Sequence, residues 1–239
     1  MKRGPRVYFS FRSPYTWMAL HRLMDAVPDA HDVLEFIPFW EPDPDTEKAL
    51  AERDAAFHYA EMSKAKHLYI LHDTKRLASK LGLKMAWPID IDPWWEVPHL
   101  AWLRARDLGI GAEFFAAVLK ARWERGENIC DPAVIAAIGA SLGADGDTLA
   151  AAARDETVRA AGIDCLARAY EDDVFGVPYF RIGPHRFWGF DRVGDFLGAL
   201  LPALSRPVGA WCTDPALPAP VPPAAVTHAY DTDTAGGCG

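Results

Sequence analysis

The sequence predicts an α/β fold in which an inserted all-helical subdomain separates two groups of strands. A strand, a tight turn and an amphipathic helix follow one another at the start of the chain, over residues 6–27. Helical patterns then dominate residues 45–172, and strand signals return only near residue 179. Because the helices are grouped between strands and do not alternate with them, the pattern favours an insertion over a βαβ repeat.

The first strand, turn and helix are predicted at the N-terminal end. Arg6 to Phe11 reads RVYFSF, a short β-branched and aromatic run that is typical of a strand. Ser13 suits the N-cap of a helix, and Pro14 suits the first helical position, where no backbone N–H is needed. Apolar residues then recur at the helical period, at Trp17, Leu20, Met24 and Val27.

A second strand is predicted within residues 33–40. Pro38 removes a hydrogen-bond donor from it, which places this strand at a sheet edge or makes Pro38 its end. Residues 46–81 predict one or two helices that end at Gly82. The next segment, Trp87 to Pro98, contains three prolines and three tryptophans and is predicted to be an irregular loop. Its indoles either wall a pocket or cover the core.

A run of helices is predicted from His99 to Tyr170, with breaks at 109–111, 126–131 and 143–146. Strand signals at 179–182 and 186–188 flank Gly183-Pro184-His185 and predict a hairpin. A last helix is predicted to start at Asp191. We expect one domain over residues 1–204, with the helical insertion at about 45–172, followed by a Pro- and Ala-rich tail over 205–239.

Composition and charge narrow the function. The chain has 25 basic and 33 acidic residues, a net charge of −8, and no basic stripe, which argues against a nucleic-acid partner. It has no long uncharged apolar run, so we expect no membrane partner and a cytoplasmic location. The four cysteines form no CxxC or metal-ligand spacing, and we expect free thiols and no metal site.

Ser13 has two readings at this point. As an N-cap it would only satisfy a backbone N–H of the helix. Its hydroxyl also lies where unpaired N–H groups and the helix dipole favour an anion, so it could take part in binding one. The sequence pattern alone favours the simple cap.

The element order and four stretches carry a resemblance to a known family. The order β-α-β, helical insertion, β-β-α is that of a thioredoxin fold, and Pro178 stands immediately before the third strand. The stretches are YFSFRSPYTW, SKAKHLYILHDTKRLASKLGL, VFGVPYF and FWGFDRV. The chain resembles the DsbA-like branch of the thioredoxin superfamily, within it the group of 2-hydroxychromene-2-carboxylate isomerases and kappa-class glutathione transferases.

The resemblance implies roles for several residues. Redox members carry a CxxC pair where this chain reads Ser13-Pro14-Tyr15-Thr16, so no dithiol is available at this turn. In the isomerase group the serine hydroxyl binds the sulfur of glutathione, and a homodimer is common. Val177 and a cis Pro178 would pair with the cysteinyl amide of glutathione. The remaining glutathione ligands would be Asp191 and Arg192, with Lys64 or Lys66 at the glycyl carboxylate.

A substrate pocket completes the expected site. Its candidate lining residues are Tyr15, Trp87, Trp94 and Trp95. Two features depart from the resemblance. Phe190 replaces a small polar residue, and the acidic residues Glu41, Asp43 and Asp45 predict a rim that repels a tripeptide of net charge −1.

Three functions follow as hypotheses. The first is a glutathione-dependent isomerase or transferase that acts on a small aromatic or conjugated organic acid. The second, which the two departures favour, is a redox-inactive DsbA-like protein that binds a peptide or carrier partner along Val177-Pro178. The third is disulfide exchange through Cys130 or Cys165, which needs a thiol near Ser13.

Overall fold

A four-stranded mixed sheet lies at the centre of the computed structural model, which describes residues 4–58 and 62–209. Its strands have the order β2-β1-β3-β4. They are β1 (Arg6–Phe9), β2 (Glu35–Pro38), β3 (Tyr179–Ile182) and β4 (His185–Trp188). β1 pairs in parallel with β2 and antiparallel with β3, and β3 pairs antiparallel with β4. Pro38 ends an edge strand, as predicted, because no ladder donor is needed there.

Ten helices accompany the sheet in the described part of the chain. They are α1 (Pro14–Ala26), α2 (Ala30–Val33), α3 (Pro44–Ala51), α4 (Lys64–Lys80), α5 (Glu96–Asp107), α6 (Gly111–Trp123), α7 (Pro132–Ser141), α8 (Gly146–Ala150), α9 (Glu156–Glu171) and α10 (Val193–Ala203). Two 3₁₀ turns lie at Ala151–Arg154 and Phe190–Arg192. The helices α3 to α9 stand between β2 and β3, so the predicted helical insertion is confirmed.

Two predicted boundaries were wrong. Glu96 to Pro98, predicted to be irregular, form the first turn of α5, where a proline is tolerated because the first N–H groups have no partner within the helix. Asp191 was predicted to start the last helix. It lies instead in the 3₁₀ turn, and α10 starts two residues later.

Aromatic side chains join the sheet to the helical insertion. The ring of Phe9 on β1 meets the rings of Trp102 and Phe115 edge to face, with centroids 5.0 and 4.8 Å apart. Phe11, just beyond β1, packs on Phe115 at 5.2 Å. All four rings are fully buried or nearly so. The sheet and the insertion therefore share one hydrophobic core.

A buried ion cluster joins the sheet to the end of α9. Asp172 accepts hydrogen bonds from Nε of Arg6 at 2.6 Å and from Nη2 of the same residue at 3.0 Å. Tyr8 donates its hydroxyl to the same carboxylate, and Arg181 on β3 also donates to it. Burial opposes ionisation of Asp172, but the donated bonds hold its pKa below the usual value.

The described chain has no helix that is long and apolar enough to cross a membrane. Of the predicted tail over 205–239, residues 210–239 lie outside the described residues. The tail prediction is therefore untested over most of its length.

Candidate functional site

Three chain segments meet at one edge of the sheet. β1 and β2 are parallel, so the segments that follow them, residues 10–13 and 39–43, leave from the same edge. β3 runs antiparallel to β1, so the segment that precedes it, residues 175–178, enters at that edge. The N-terminus of α1 lies there too. The topology thus gathers most of the predicted site from distant parts of the sequence.

Ser13 is the N-cap of α1. Its Oγ accepts a hydrogen bond from the backbone N–H of Thr16 at 3.1 Å, and its hydroxyl faces the carbonyl oxygen of Val177 at 3.5 Å. The second distance is too long for a strong hydrogen bond, so the hydroxyl proton can turn to a better acceptor. No acidic residue stands in the first turn of α1. The cap role and a thiolate-binding role are therefore compatible, because one uses the oxygen and the other the proton.

The turn that presents Ser13 is held by the helical insertion. The backbone N–H of Phe11 donates to Nε2 of His99 at 3.1 Å, and the indole N–H of Trp123 donates to the carbonyl of Phe11 at 3.1 Å. His99 is fully buried, and its Nδ1 lies 2.7 Å from the carbonyl of Trp95. Nε2 must accept, so the proton resides on Nδ1 and the ring is neutral. Burial lowers the pKa of His99 to about 3.

Sequence reasoning missed His99 and Trp123. The signals were present: a histidine at the apolar start of a helix, four residues after Trp95, and a tryptophan near the end of another helix. Neither pattern indicates which distant backbone group the side chain reaches.

Val177 and Pro178 face the Ser13 turn. The peptide bond between them is cis, as the resemblance implies. Among the described residues, neither the N–H nor the carbonyl of Val177 forms a backbone hydrogen bond, whereas the carbonyl of Pro178 accepts from the N–H of Gly189 at 3.0 Å. Val177 therefore offers a donor and an acceptor to an extended ligand. This arrangement fits the cysteinyl amide of glutathione, and it also fits a peptide.

Asp191 and Arg192 lie on a turn that packs against α1. Both side chains are more than half exposed, and Nη1 of Arg192 lies 3.4 Å from Oδ2 of Asp191. The Asp191 carboxylate does not cap α10. It is thus available to an amine, as the glutathione reading requires. Phe190 is half-buried and can offer only its backbone N–H to a ligand.

Lys64 and Lys66 stand exposed in the first turn of α4. α4 packs against α1, and the hydroxyl of Tyr15 donates to Oδ2 of Asp73 at 2.8 Å. Lys66 precedes Asp73 by seven residues, about 10 Å along the helix axis. In the described chain, no contact joins either lysine to the Ser13 turn. Tyr15 itself is half-buried, and its hydroxyl points to α4.

The three tryptophans of the predicted pocket are separated. Trp87 is 37% exposed and meets Trp123, whereas Trp94 is half-buried and donates its indole N–H to Asp43 at 3.0 Å. Trp95 is 3% exposed, with guanidinium groups at its ring. The described ring contacts do not join the three indoles into one wall, so Trp95 contributes to the core and Trp87 to the surface.

The acidic rim after β2 is largely neutralised. Glu41 pairs with Arg12, and Asp43 accepts from Nη2 of Arg159 at 2.7 Å. Partial burial opposes ionisation of Asp43, but hydrogen bonds from Arg159, Thr46 and Trp94 lower its pKa to about 2. Asp43 is a half-buried cap of α3, whereas Glu41 and Asp45 keep the exposure that the sequence suggested for the rim. The expected repulsion of a tripeptide is correspondingly weaker.

The described cysteines are poor nucleophiles. Burial raises the pKa of Cys130 to about 12 and that of Cys165 to about 11. Cys212 and Cys238 lie outside the described residues. Disulfide exchange through Cys130 or Cys165 thus lacks a reactive thiolate. Among the described side chains, no group of three or more His, Cys, Asp or Glu could hold a metal ion.

Comparisons with known proteins show which family the sequence matches. The sequence profile of the DSBA-like thioredoxin domain family matches residues 6–201. A 2-hydroxychromene-2-carboxylate isomerase from Sphingobium xenophagum is 26% identical over 199 residues, which cover 81% of this chain and 95% of that protein.

Solved structures share the fold. A 2-hydroxychromene-2-carboxylate isomerase superposes with a TM-score of 0.64 at 22% identity, covering 84% of this chain and 94% of that one. The cytosolic disulfide reductase DsbM from Pseudomonas aeruginosa, solved with GSH, superposes with a TM-score of 0.52 at 18% identity, covering 76% of this chain and 87% of that one.

Proposed function

Because the chain belongs to the DSBA-like thioredoxin domain family and carries a serine where a redox pair would stand, we propose that it is a glutathione-dependent isomerase or transferase. Its substrate is a small aromatic or conjugated organic acid. One observation carries the proposal: the Ser13 hydroxyl stands at the N-terminus of α1 with only a long, 3.5 Å contact to the carbonyl of Val177, whose N–H and carbonyl form no backbone hydrogen bond among the described residues. The named isomerase relative supports the reaction class.

The protein groups have distinct tasks in this proposal. Bound glutathione supplies a thiolate that adds reversibly to an electrophilic carbon. Ser13 donates a hydrogen bond to the sulfur, and the N–H groups of the first turn of α1 favour its negative charge. Both effects lower the pKa of the bound thiol. Val177 aligns the cysteinyl amide through its own N–H and carbonyl, and Asp191 accepts the γ-glutamyl amine.

A titration of glutathione into the full-length protein tests the proposal. We expect saturable binding, with a bound thiol whose pKa, read from thiolate absorbance, lies below that of free glutathione. Ser13→Ala should weaken binding and return the thiol pKa towards its free value. Ser63→Ala is the matched control, because Ser63 caps α4 through a bond of 3.2 Å to the N–H of Lys66 and is exposed. Absence of glutathione binding to the unaltered protein would refute the proposal.

A second candidate function has an observation of its own. Phe175 and Trp188 are 54% and 38% exposed, their rings lie 4.9 Å apart, and the Trp188 indole lies close to the backbone of Gly176, which precedes Val177. An exposed aromatic pair, close in sequence to a residue whose backbone groups lack backbone partners, suits a peptide or carrier partner that adds along this edge. On this reading a peptide, and not glutathione, would protect the protein thermally, and Phe175→Ser would abolish the protection. Protection that survives this substitution would exclude the edge as the binding surface.

The cellular setting belongs to the same proposal. A glutathione-dependent enzyme needs the reduced glutathione pool of the cytosol, so we place the protein in the cytoplasm. We also propose a homodimer. Cell fractionation tests the location, and light scattering of the purified full-length chain tests the assembly.

A further inference from the structure

We propose that Arg12 binds the carboxylate of the organic-acid substrate, which takes the place of Glu41 on the guanidinium. This inference rests on the proposed function, since it names the group that recognises the acid.

Arg12 stands immediately before Ser13, at the sheet edge where β1 and β2 end. Its Nη1 lies 2.5 Å from Oε2 of Glu41, and the two side chains are 38% and 47% exposed. An ion pair with this much exposure on both sides is weak and sensitive to salt. An incoming carboxylate can therefore replace Glu41 without leaving a buried charge unpaired.

Trp95 holds the guanidinium in place during the exchange. The Arg12 guanidinium carbon lies 5.5 Å from the centroid of the Trp95 ring, which is itself buried. A cation over an indole face keeps its attraction whichever carboxylate it binds. The donor fork of Arg12 is thus oriented before a ligand arrives, and less freedom is lost on binding.

A second guanidinium reinforces the positive potential at this ring. Arg122 lies 4.9 Å from the Trp95 centroid and is 2% exposed. Its Nη1 and Nη2 each donate to one carboxylate oxygen of Asp90, at 2.9 and 2.8 Å, so both terminal nitrogens already have an acceptor. The Arg122 side chain is buried in its pair, whereas in the Arg12–Glu41 pair both side chains are exposed, so Arg12 is the arginine that can exchange its partner. Arg122, which belongs to the helical insertion, therefore packs on the Trp95 ring without competing for the incoming carboxylate.

The sheet topology separates the acid from glutathione. β1 lies between β2 and β3, so the residues that follow β1 have Glu41 on one flank and Val177 on the other. Glutathione would extend along Val177 and Asp191, on the β3 side. Arg12 points to the β2 side, towards Glu41 and Trp95. The sulfur of glutathione bound at Ser13 would then face the substrate acid held by Arg12.

The test compares an acid with its uncharged amide. 2-Hydroxycinnamate and 2-hydroxycinnamide are titrated into the full-length protein, with and without glutathione. We expect the acid to bind about tenfold more tightly than the amide, the factor of one charge-assisted interaction. Arg12→Gln should abolish this preference and leave the amide unaffected, whereas Glu41→Gln should tighten binding of the acid by a few fold.

Arg106→Gln is the matched control. Arg106 is exposed and lies over Trp102 at 5.4 Å, so the control removes an equivalent stacked arginine elsewhere. It should leave both affinities unchanged. Equal binding of acid and amide to the unaltered protein, or an acid preference that persists in Arg12→Gln, would overturn the inference. The inference would also be overturned if Arg12→Gln weakened glutathione binding by as large a factor as it weakens binding of the acid, or by a larger one. Failure of the proposed function is separate, since it appears as absent glutathione binding.

Discussion

The imidazole Nε2 of His99 accepts the backbone N–H of Phe11 across 88 residues of sequence. The bond fixes the turn between β1 and α1, and it comes from the first helix that follows the Trp-rich loop. The histidine serves as a neutral acceptor for a backbone group that has no ladder partner. A side chain in the insertion thereby determines where Ser13 stands.

Substituting His99 tests this role. His99→Phe removes the acceptor for the Phe11 N–H and the donor to the Trp95 carbonyl in a fully buried place. We expect a loss of about 1–3 kcal/mol in the free energy of unfolding, the usual cost of a buried polar group left unpaired. Urea unfolding at pH 7.5 measures it. The exposed His67→Gln should leave stability unchanged, and an equally stable His99→Phe would contradict the role.

The same histidine predicts a pH dependence. The folded state keeps His99 neutral down to a pKa of about 3, whereas the unfolded chain takes up a proton near pH 6.5. The unfolded state therefore binds more protons between these values, and stability falls as pH falls below about 6.5. The slope contributed by this group approaches about 1.4 kcal/mol per pH unit. Unfolding curves between pH 7.5 and 5.5 should show a shrinking difference between the unaltered protein and His99→Phe, and a constant difference would exclude the linkage.

The Asp172 cluster should carry a large share of stability. Asp172→Asn removes the charge that Arg6 and Arg181 share in a buried place, and we expect a loss of about 3–5 kcal/mol. Thermal and urea unfolding measure the loss. Asp164→Asn is the control, because the Arg53–Asp164 pair is exposed and should cost less than about 1 kcal/mol. Similar losses in both variants would show that the buried cluster contributes no more to the free energy of unfolding than an exposed ion pair does.

The Tyr15–Asp73 hydrogen bond should couple α4 to α1. Tyr15→Phe removes the donor, and we expect a loss of about 0.5–1.5 kcal/mol together with faster hydrogen exchange in α4. A double-mutant cycle with Asp73→Ala, which removes the acceptor, isolates the pair, since both residues have other neighbours. A coupling energy of zero would mean that the two helices are held by packing alone.

Thiol labelling tests the reading of the cysteines. In a Cys212→Ser/Cys238→Ser background, only Cys130 and Cys165 can react. Burial raises the pKa of each well above that of a free thiol, so at pH 8 we expect native-state alkylation to be slower than for free cysteine by about two orders of magnitude at Cys165 and about three at Cys130. Labelling in urea should be fast. Rapid native labelling of either thiol would reopen disulfide exchange as a function.

Local patterns were sufficient for much of the fold. The Ser13 cap, the Pro38 strand end and the hairpin at 179–188 follow from conformational preferences of a few adjacent residues. The element order then supported the thioredoxin fold. Pro98 was misjudged because a proline in a first helical turn resembles a proline in a loop.

Contacts between distant residues could not be predicted. Asp43 looked like part of an exposed acidic segment, yet Arg159 binds it from 116 residues away. The pairing of Arg12 with Glu41 and the stack on Trp95 likewise leave no periodic signal. A sequence shows how many charged groups a protein has, but only the fold shows which of them form ion pairs.

The aromatic rings shared by β1 and the helical insertion restrict how the protein can move. A hinge between the two parts would separate Phe9 from Trp102 and pull Phe11 away from His99, exposing buried rings and a backbone amide at once. That motion is costly, so ligands should enter without a relative rotation of the two parts. Access of ligands to the Ser13 turn then depends on side chains that change rotamer at the sheet edge. The Arg12–Glu41 ion pair would open and close while the backbone around it stays fixed.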